Sequence, residues 1–344
     1  MIDQTTKILV VGAGAIGGIS AGLLARAGRD VEVVDRNQDL IEKVRTDGLH
    51  VFGARGDFRV RVAAFSDIRQ IAGKRDLVLL ATKATALPAV AQELLPVLGE
   101  RSSVVSLQNG ICEETIASVI GEHRTVGCVV GWGATMHAPG ELEMTSTGEL
   151  IIGRLDGRID PTLESARDVL RAIAPVKVST NIMGHLYAKL VINACITTLG
   201  AITGLYLGEM LRSPKARAVF IEIIREAMDV AMAMNFHVEP VAKLDFAAFL
   251  KGRGFVANLK RRLIIGVIGR KYRKLKSSSL QSLERGEKTE VDCFNGYIAQ
   301  KGEENGVPTP LNSFLTRTVK EIESGARRIS PANFDEPFFD RYAA

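Results

Sequence analysis

Cysteine is scarce in this chain and poorly spaced for cross-linking. Cys112, Cys128, Cys195 and Cys293 stand far apart, with no C-x-x-C pair. That argues against a disulfide framework or a zinc site, and for reduced thiols in a cytoplasmic setting. No metal is expected. The opening MIDQTTKILVVG puts an acid ahead of its apolar run and has no basic n-region, so a secretory signal is not expected. No internal repeat is evident. Charge is missing from Leu190 to Gly208, 19 residues that approach the length of a bilayer span. Asn193, Thr197, Thr198 and Thr203 interrupt that run, with Gly200 and Gly204. It reads as a helix buried between protein layers, and no transmembrane segment is expected.

Acid is absent from Lys251 to Lys276, where KGRGFVANLKRRLIIGVIGRKYRKLK holds ten Lys/Arg. The plain reading is a solvated helical face whose apolar residues pack inward. The sharper readings are attraction of an anionic substrate, or contact with acidic lipid or nucleic acid. Aromatics are sparse in this run, only Phe255 and Tyr272, so a base-stacking surface is poorly supported and no nucleic-acid partner is expected.

What is present is the balance of a soluble globular protein: 46% apolar and 24% charged residues in 344, enough for two domains with real cores. The spacing predicts an α/β first half. Lys7 to Val11 is a short apolar run ending in Gly12-Ala13-Gly14-Ala15-Ile16-Gly17. A helical pattern follows (Ile19, Leu23, Leu24), then Gly28 and a second strand, Val31 to Val34. Strand, glycine turn, helix and strand form the setting in which G-x-G-x-x-G carries weight. Gly12 permits the tight turn, Gly14 lets a pyrophosphate approach the backbone, and Gly17 lets helix and strand pack closely. The helix N-terminus then offers free N–H groups to phosphates.

The residues after the second strand disagree about the dinucleotide. Asp35 stands where a carboxylate grips the ribose 2′-OH of NAD(H), and Arg36 where an arginine holds the 2′-phosphate of NADP(H). Asp35 facing a phosphate dianion is repulsive unless it turns away and lets Arg36 lead. Further strands are predicted at Leu77 to Ala81, ending in Thr82-Lys83, and at Val104 to Leu107, ending in Gln108-Asn109-Gly110. Those polar ends fall at the carboxyl edge of a parallel sheet, where ligands bind. Gly131 to Thr135 and Gly140 to Gly153 read as β structure completing the domain, with Pro175 to Thr180 its last piece.

From Met183 the periodicity is helical. Val219 to Met234 shows an apolar face with Glu222, Arg225, Glu226 and Asp229 opposite. Ser277-Ser278-Ser279 opens a helix with capping hydroxyls, running on through a mixed-charge stretch to Thr289-Glu290-Val291-Asp292. A rigid turn, Gly306 to Pro310, precedes a last helix, Leu311 to Glu323. Domains are expected at 1–180 and 181–326, with an extension at 327–344. In HLYAKLVINACIT, Lys189 stands at the entrance of the apolar helix and Asn193 one turn later. An unpaired buried ammonium is expensive, so Lys189 calls for a reason.

Taken in order, Gly12 to Gly17, Lys83, Gln108-Asn109-Gly110, Lys189 to Asn193, Ser278, Thr289 to Asp292, Asn295-Gly296 and Gly306 to Pro310 resemble the ketopantoate reductase (2-dehydropantoate 2-reductase) family. The resemblance runs from about Lys7 to about Glu323. It implies a Rossmann doubly wound sheet followed by an all-helical domain of the 6-phosphogluconate dehydrogenase-like type, with the active site in the cleft between them. It also implies NAD(P)H-dependent reduction of a 2-oxo acid, by default 2-dehydropantoate to pantoate. By the same resemblance Lys189 matches the proton donor, and Asn193 and Ser278 match substrate contacts. Asn109 and Lys83 match positions beside the cofactor and nicotinamide, and Glu290 a residue near cofactor and substrate.

The chemistry agrees. A positioned cationic acid delivering a proton to a developing alkoxide contributes ~10²–10⁴-fold, and a carboxylate such as Glu290 keeps a partly buried lysine protonated. Gly12, Gly14, Ala15, Ile16 and Gly17 are the expected phosphate cradle. Arg36 tips the cofactor expectation to NADP(H), while Asp35 keeps NAD(H) open. Where the family commonly has a second asparagine and a proline, this chain has Thr197-Thr198. Thr197 shares the Lys189 face and is expected to meet substrate. Ser282 replaces a usual acid, and the basic run lengthens the second domain. Two other readings stand beside this one: the same chemistry on a bulkier or more anionic oxo acid or an opine-type imine, and a nucleotide-binding sensor that docks through its basic segment. A homodimer is compatible with the apolar helical domain.

Overall fold

In the computed structural model, which describes residues 6–241, 244–252 and 254–342, the chain forms two compact units, 1–186 and 187–344. Arg253 of the basic run and the last two residues of the tail lie outside the described residues.

The first unit opens with β1 (Ile8–Val11), α1 (Ala15–Arg26), β2 (Val31–Val34), α2 (Gln38–Asp47), β3 (Leu49–Gly53), β4 (Phe58–Val60) and β5 (Ala63–Phe65). It continues through β6 (Arg75–Leu80), α3 (Leu87–Leu94), β7 (Leu98–Ser106), α4 (Glu113–Ile120) and β8 (Thr125–Val130). Then come β9 (Ala134–Ala138), β10 (Glu141–Met144), β11 (Leu150–Gly153), α5 (Pro161–Leu170) and β12 (Val176–Val178). Eight strands form the main sheet in the order β12-β11-β8-β7-β6-β1-β2-β5. Every pair is parallel except β8–β11, and β1 is flanked by β2 and β6. The chain order reverses between β1 and β6, the switch point where open α/β sheets bind ligands.

β1 is buried on both faces, as a central parallel strand must be. Ile8 and Val10 join the core under α1, α2 and α5, while Leu9 and Val11 join the one under α3 and α4. The sheet is therefore doubly wound, as expected. The run from Gly140 to Gly153 does not stay together: β11 enters the main sheet, but β10 leaves it for a second sheet ordered β4-β3-β10-β9. Its seat is the small-residue face of α1, where a Cβ on Gly18 would fall 2.6 Å from the Leu142 side chain and one on Gly22 2.7 Å from Val51.

Across this second sheet His50 faces two carboxylates, Asp57 at 2.8 Å and Glu141 at 2.5 Å. Those hydrogen bonds, Asp57 first, raise the imidazole pKa above its ordinary 6.5. A protonated His50 thus stabilises the fold below about pH 6.5, and that contribution is lost as pH rises through the raised value. NMR titration should show His50 titrating above free histidine, and Glu141→Gln should move it back down.

The second unit is helical: α6 (Ile182–Thr203, which starts in the first unit), α7 (Leu207–Met210), α8 (Pro214–Ala233), α9 (Phe246–Leu250), α10 (Phe255–Lys271), α11 (Ser278–Glu284), α12 (Asn295–Glu304) and α13 (Pro310–Glu323). By length and composition α6 would pass as a membrane span, yet 78% of its most apolar window is buried in protein. The uncharged run is not one helix: α6 stops at Thr203, and Gly204 turns the chain at φ +74°. Nor does the helix opened at Ser277 reach Thr289. α11 ends at Glu284, Gly286 sits at φ +69°, and only a 3-10 turn, Val291–Cys293, follows. The tail is ordered into two short 3-10 segments, and Phe339 is wholly buried beside Phe314.

Two further expectations are corrected. Glu226 does not sit on the solvent face of α8; it is 5% exposed and turned inward. Its carboxylate accepts the backbone N–H groups of Leu311 and Asn312, both at 2.9 Å, and the Asn312 amide at 2.7 Å. It thereby caps the start of α13, which has no side-chain N-cap of its own. Asn312 accepts from Asn295, which in turn pairs with Thr198, so one buried polar chain ties α6, α8, α12 and α13. Glu226→Ala would strand three buried donors and is expected to cost about 3 kcal/mol, read as a lowered denaturation midpoint. Glu226→Gln, which keeps acceptor oxygen, should cost less.

The basic run departs from expectation as well. Of the apolar residues of α10 only Ile265 is fully buried, whereas Phe255, Val256, Leu259, Leu263 and Val267 are exposed. The inward face is taken up instead by Arg261, Ile265 and Gly269. The Arg261 guanidinium is spent on the carbonyls of Phe249, Leu250, Lys251 and Gly252.

Candidate functional site

The glycine loop between β1 and α1 is built by backbone geometry. Gly12 lies at φ +97°, and a Cβ there would come within 2.8 Å of the Ala81 carbonyl and the Thr82 nitrogen at the end of β6. A Cβ on Gly17 would fall 1.9 Å from the Gly12 carbonyl oxygen. Helix and strand can meet this closely only with glycine at both positions. Gly14 differs: it is the N-cap of α1, extended, with nothing within 4 Å of an added Cβ. Its side of the loop is open, and α1 begins there with Ala15 and Ile16. No acid stands in the first helical turn, so the positive end of the helix is left for an anion.

The Asp35 carboxylate is engaged by backbone. One carboxylate oxygen accepts the Ala13 N–H at 2.8 Å and the other accepts the Asn37 N–H at 2.9 Å. It ties the end of β2 to the glycine loop and acts on backbone. Arg36 points outward and pairs with Glu93 of α3 at 2.5 Å, both side chains largely exposed. Beside them Arg69 holds Asp67, whose pKa the arginine lowers to about 2. A groove of about 840 Å³ brings together Gly12, Gly14, Asp35, Arg36, Arg69 and Lys83. Its volume suits a small-molecule ligand. Lys83 leads into a short turn before α3. Asn109 follows β7, next to Gln108, whose amide donates to the Thr82 carbonyl at 2.8 Å and so couples the ends of β6 and β7.

Arg69, Asp67 and Glu93 were not foreseen as part of this groove. Nothing in their local sequence marks them, because the fold alone brings the turn after β5 and helix α3 beside Arg36.

In the second unit, α6 presents a narrow open stripe. From Ala188 to Gly200 only Lys189, Ile192, Asn193 and Ile196 are not buried, spaced i, i+3, i+4, i+7. Lys189 and Asn193 thus share the one face of the helix that a ligand can reach. Thr197 falls on the edge of it: it is 5% exposed, and its hydroxyl donates to the Asn193 carbonyl at 2.7 Å. Its proton is therefore committed within the helix. At the other end α6 meets the start of α11, where a Cβ on Gly200 would fall 2.5 Å from the Ser277 hydroxyl oxygen. Ser277, not Ser278, is the N-cap and accepts the Leu280 N–H at 3.1 Å, which leaves Ser278 exposed in the first turn. Glu290 immediately precedes the 3-10 turn that holds Cys293. Burial, with the charges of Glu290 and Asp292, pushes the Cys293 thiol up to about 11, so it is inert as a nucleophile. All four cysteines are free thiols, and among the described residues no group of three or more His, Cys, Asp and Glu could hold a metal ion.

The family model described as ketopantoate reductase PanE/ApbA matches residues 8–157, and its C-terminal counterpart matches 181–323. The 2-dehydropantoate 2-reductase of Pyrococcus abyssi is 30% identical over 322 residues, covering 92% of this chain and 98% of that relative. Among solved structures, a PanE/ApbA family ketopantoate reductase from Ralstonia eutropha JMP134 superposes with a TM-score of 0.81 at 30% identity, over 93% of this chain and 99% of that one. A D-mandelate dehydrogenase bound to NADH and anilino(oxo)acetate shares the fold, with a TM-score of 0.79 at 22% identity over 93% and 99% of the two chains. The chain belongs to the PanE/ApbA family of ketopantoate reductases.

Proposed function

We propose that this chain reduces 2-dehydropantoate to pantoate, with NADP(H) as cofactor and Lys189 as proton donor. The observation that carries the reading is a family glycine cradle in one unit together with a lysine on the single open stripe of a buried helix in the other. Gly12, Gly14, Ala15, Ile16 and Gly17 would hold the pyrophosphate, with Lys83 and Asn109 toward the nicotinamide. When bound, the reduced nicotinamide supplies the hydride for the substrate's carbonyl carbon.

The protein's part is to orient and to protonate. The Lys189 ammonium stabilises negative charge developing on the substrate oxygen and then gives up a proton to it. Asn193, one turn on, hydrogen-bonds the substrate from the same face, with Ser278 and the edge of Thr197 completing the contact. Glu290 favours the charged lysine. A cytoplasmic setting suits the free thiols.

NADP(H) is favoured because the Asp35 carboxylate is spent on the Ala13 and Asn37 N–H groups, while Arg36 points outward with only an exposed carboxylate to exchange. Arg36→Ala should raise KM for NADPH by about 10–100-fold, the loss of one or two charge-assisted hydrogen bonds. KM for NADH should barely move. Steady-state kinetics with both cofactors and 2-dehydropantoate, followed by nicotinamide absorbance, tests the whole reading. Absence of turnover with either cofactor, despite tight nucleotide binding, would leave the cradle and remove the substrate. Equal loss with both cofactors on Arg36→Ala would remove the 2′-phosphate assignment.

A further inference from the structure

A second groove of about 1140 Å³ lies wholly within the helical unit, between α7, the first turns of α8 and the end of α10. Its making is visible in the backbone. A Cβ on Gly208 would fall 2.5 Å from Arg273 Cα, and one on Gly269 2.8 Å from Leu211 Cβ, while the Leu207 N–H donates to the Leu275 carbonyl at 3.0 Å. These close approaches bring Arg212 and Arg217 on one bank against Arg270, Arg273 and Lys274 on the other. The single acid in the lining, Glu209, caps its own helix by accepting from the Tyr206 N–H.

Among the described residues none of the five cations has a carboxylate partner. Some other cations of the same unit do: Lys215 pairs with Asp340, Lys276 with Glu284, Lys320 with Asp292, and Arg327 with Glu321 and Glu336. Arg217 is the sharpest case. Its terminal nitrogens reach only backbone carbonyls, Arg262 at 3.5 Å and Arg212 at 3.3 Å, and its Nε is buried with no hydrogen-bond partner. Converging like charges repel, and a buried unsatisfied donor costs about 1–3 kcal/mol. An anion seated between the banks relieves the repulsion. Four guanidiniums, each a planar fork, match phosphate oxygens in pairs. Leu263 and Val267, exposed on the same wall, offer an apolar contact beside the charge.

We propose that this groove is a binding site for a ligand bearing two or more phosphate groups or a phospholipid headgroup, the shared chemistry being phosphate against arginine. The proposal stands apart from the reductase reading and does not depend on it.

The test uses the full chain saturated with NADPH, so that the dinucleotide groove is filled. Calorimetry with inorganic tripolyphosphate is run on the native protein and on R270S/R273S, whose altered side chains are exposed and whose fold is checked by circular dichroism. Flotation with phosphatidylcholine vesicles, with and without phosphatidylglycerol, forms the second arm. The expected result is salt-sensitive binding of one probe that weakens at least about tenfold in R270S/R273S, while turnover of 2-oxo acid is unchanged. Tripolyphosphate binding identifies a soluble ligand, and vesicle binding alone identifies a headgroup. Binding of neither probe, binding that the double variant keeps, or equal binding of citrate would overturn the proposal.

Discussion

Lys189→Ala is expected to lower kcat by ~10²–10⁴-fold while leaving the NADPH dissociation constant and the melting temperature nearly where they were. The separation of effects follows from where Lys189 sits. α6 is fixed by its buried residues: the Tyr187 hydroxyl donates to the Ala227 carbonyl at 2.7 Å, and Ala188, Leu190 and Val191 are all buried. Lys189 is on the open stripe, so removing it empties no core. What it removes, on the proposed reading, is the proton and the cation that face the developing alkoxide. Lys189→Arg should recover little of the loss, since a guanidinium keeps the charge but does not give up its proton near neutral pH. Asn193→Ala, which removes one hydrogen bond and no proton, should act mainly on KM. If Lys189→Ala turned over at the native rate, the proton would have to come from elsewhere, and the open stripe would be a substrate wall alone.

How much of this could be read in the sequence depended on how local the cause was. The glycine loop was legible because strand, turn and helix are contiguous in the chain and Gly17 answers to Gly12, although the contact that demands glycine at position 12 comes from Ala81 and Thr82 at the end of β6. The Lys189–Asn193 spacing was legible for the same reason: one turn of helix puts both on one face whatever surrounds it. The second sheet was not. β3 and β10 pair across 91 residues, with His50 opposite Glu141, and no local pattern announces that Leu142 will lie on the glycine face of α1.

Glu226 was misplaced because a carboxylate in a helix reads as solvent-facing until its partner is known. That partner, the free N-terminus of α13, lies 85 residues downstream. α10 was misread in the opposite sense. Its apolar residues are numerous enough to suggest an inward face, yet the contact side holds Arg261 and Gly269, and the leucines point out. Asp35 and Arg36 show the mixed case. The sequence presented two rival groups, and only the fold shows that one is already spent on backbone.

Gly17→Ala and Gly14→Ala should fail differently, and the difference tests the cradle itself. At Gly17 the added methyl would stand 1.9 Å from the Gly12 carbonyl oxygen and 2.9 Å from the Ala81 side chain. Neither neighbour can move freely, because Gly12 is held by its N–H to the Val34 carbonyl and Ala81 by its N–H to the Val11 carbonyl, both at 2.8 Å. α1 must lift off the sheet, at a cost of about 3 kcal/mol, the upper end of ordinary overpacking. The loop proposed to hold the pyrophosphate goes with it, so both the melting temperature and NADPH affinity should fall, the latter by at least about tenfold. At Gly14 an added methyl meets nothing within 4 Å and the backbone is one that any residue adopts. Stability should therefore hold, and only binding should weaken, because on the proposed reading the methyl occupies the open side where the phosphates approach the helix N-terminus. Thermal melts and NADPH titrations on the two variants read both quantities. Should Gly14→Ala bind NADPH as tightly as the native chain, the pyrophosphate would not lie over Gly14, and the groove lined by Arg36 and Lys83 would need another occupant.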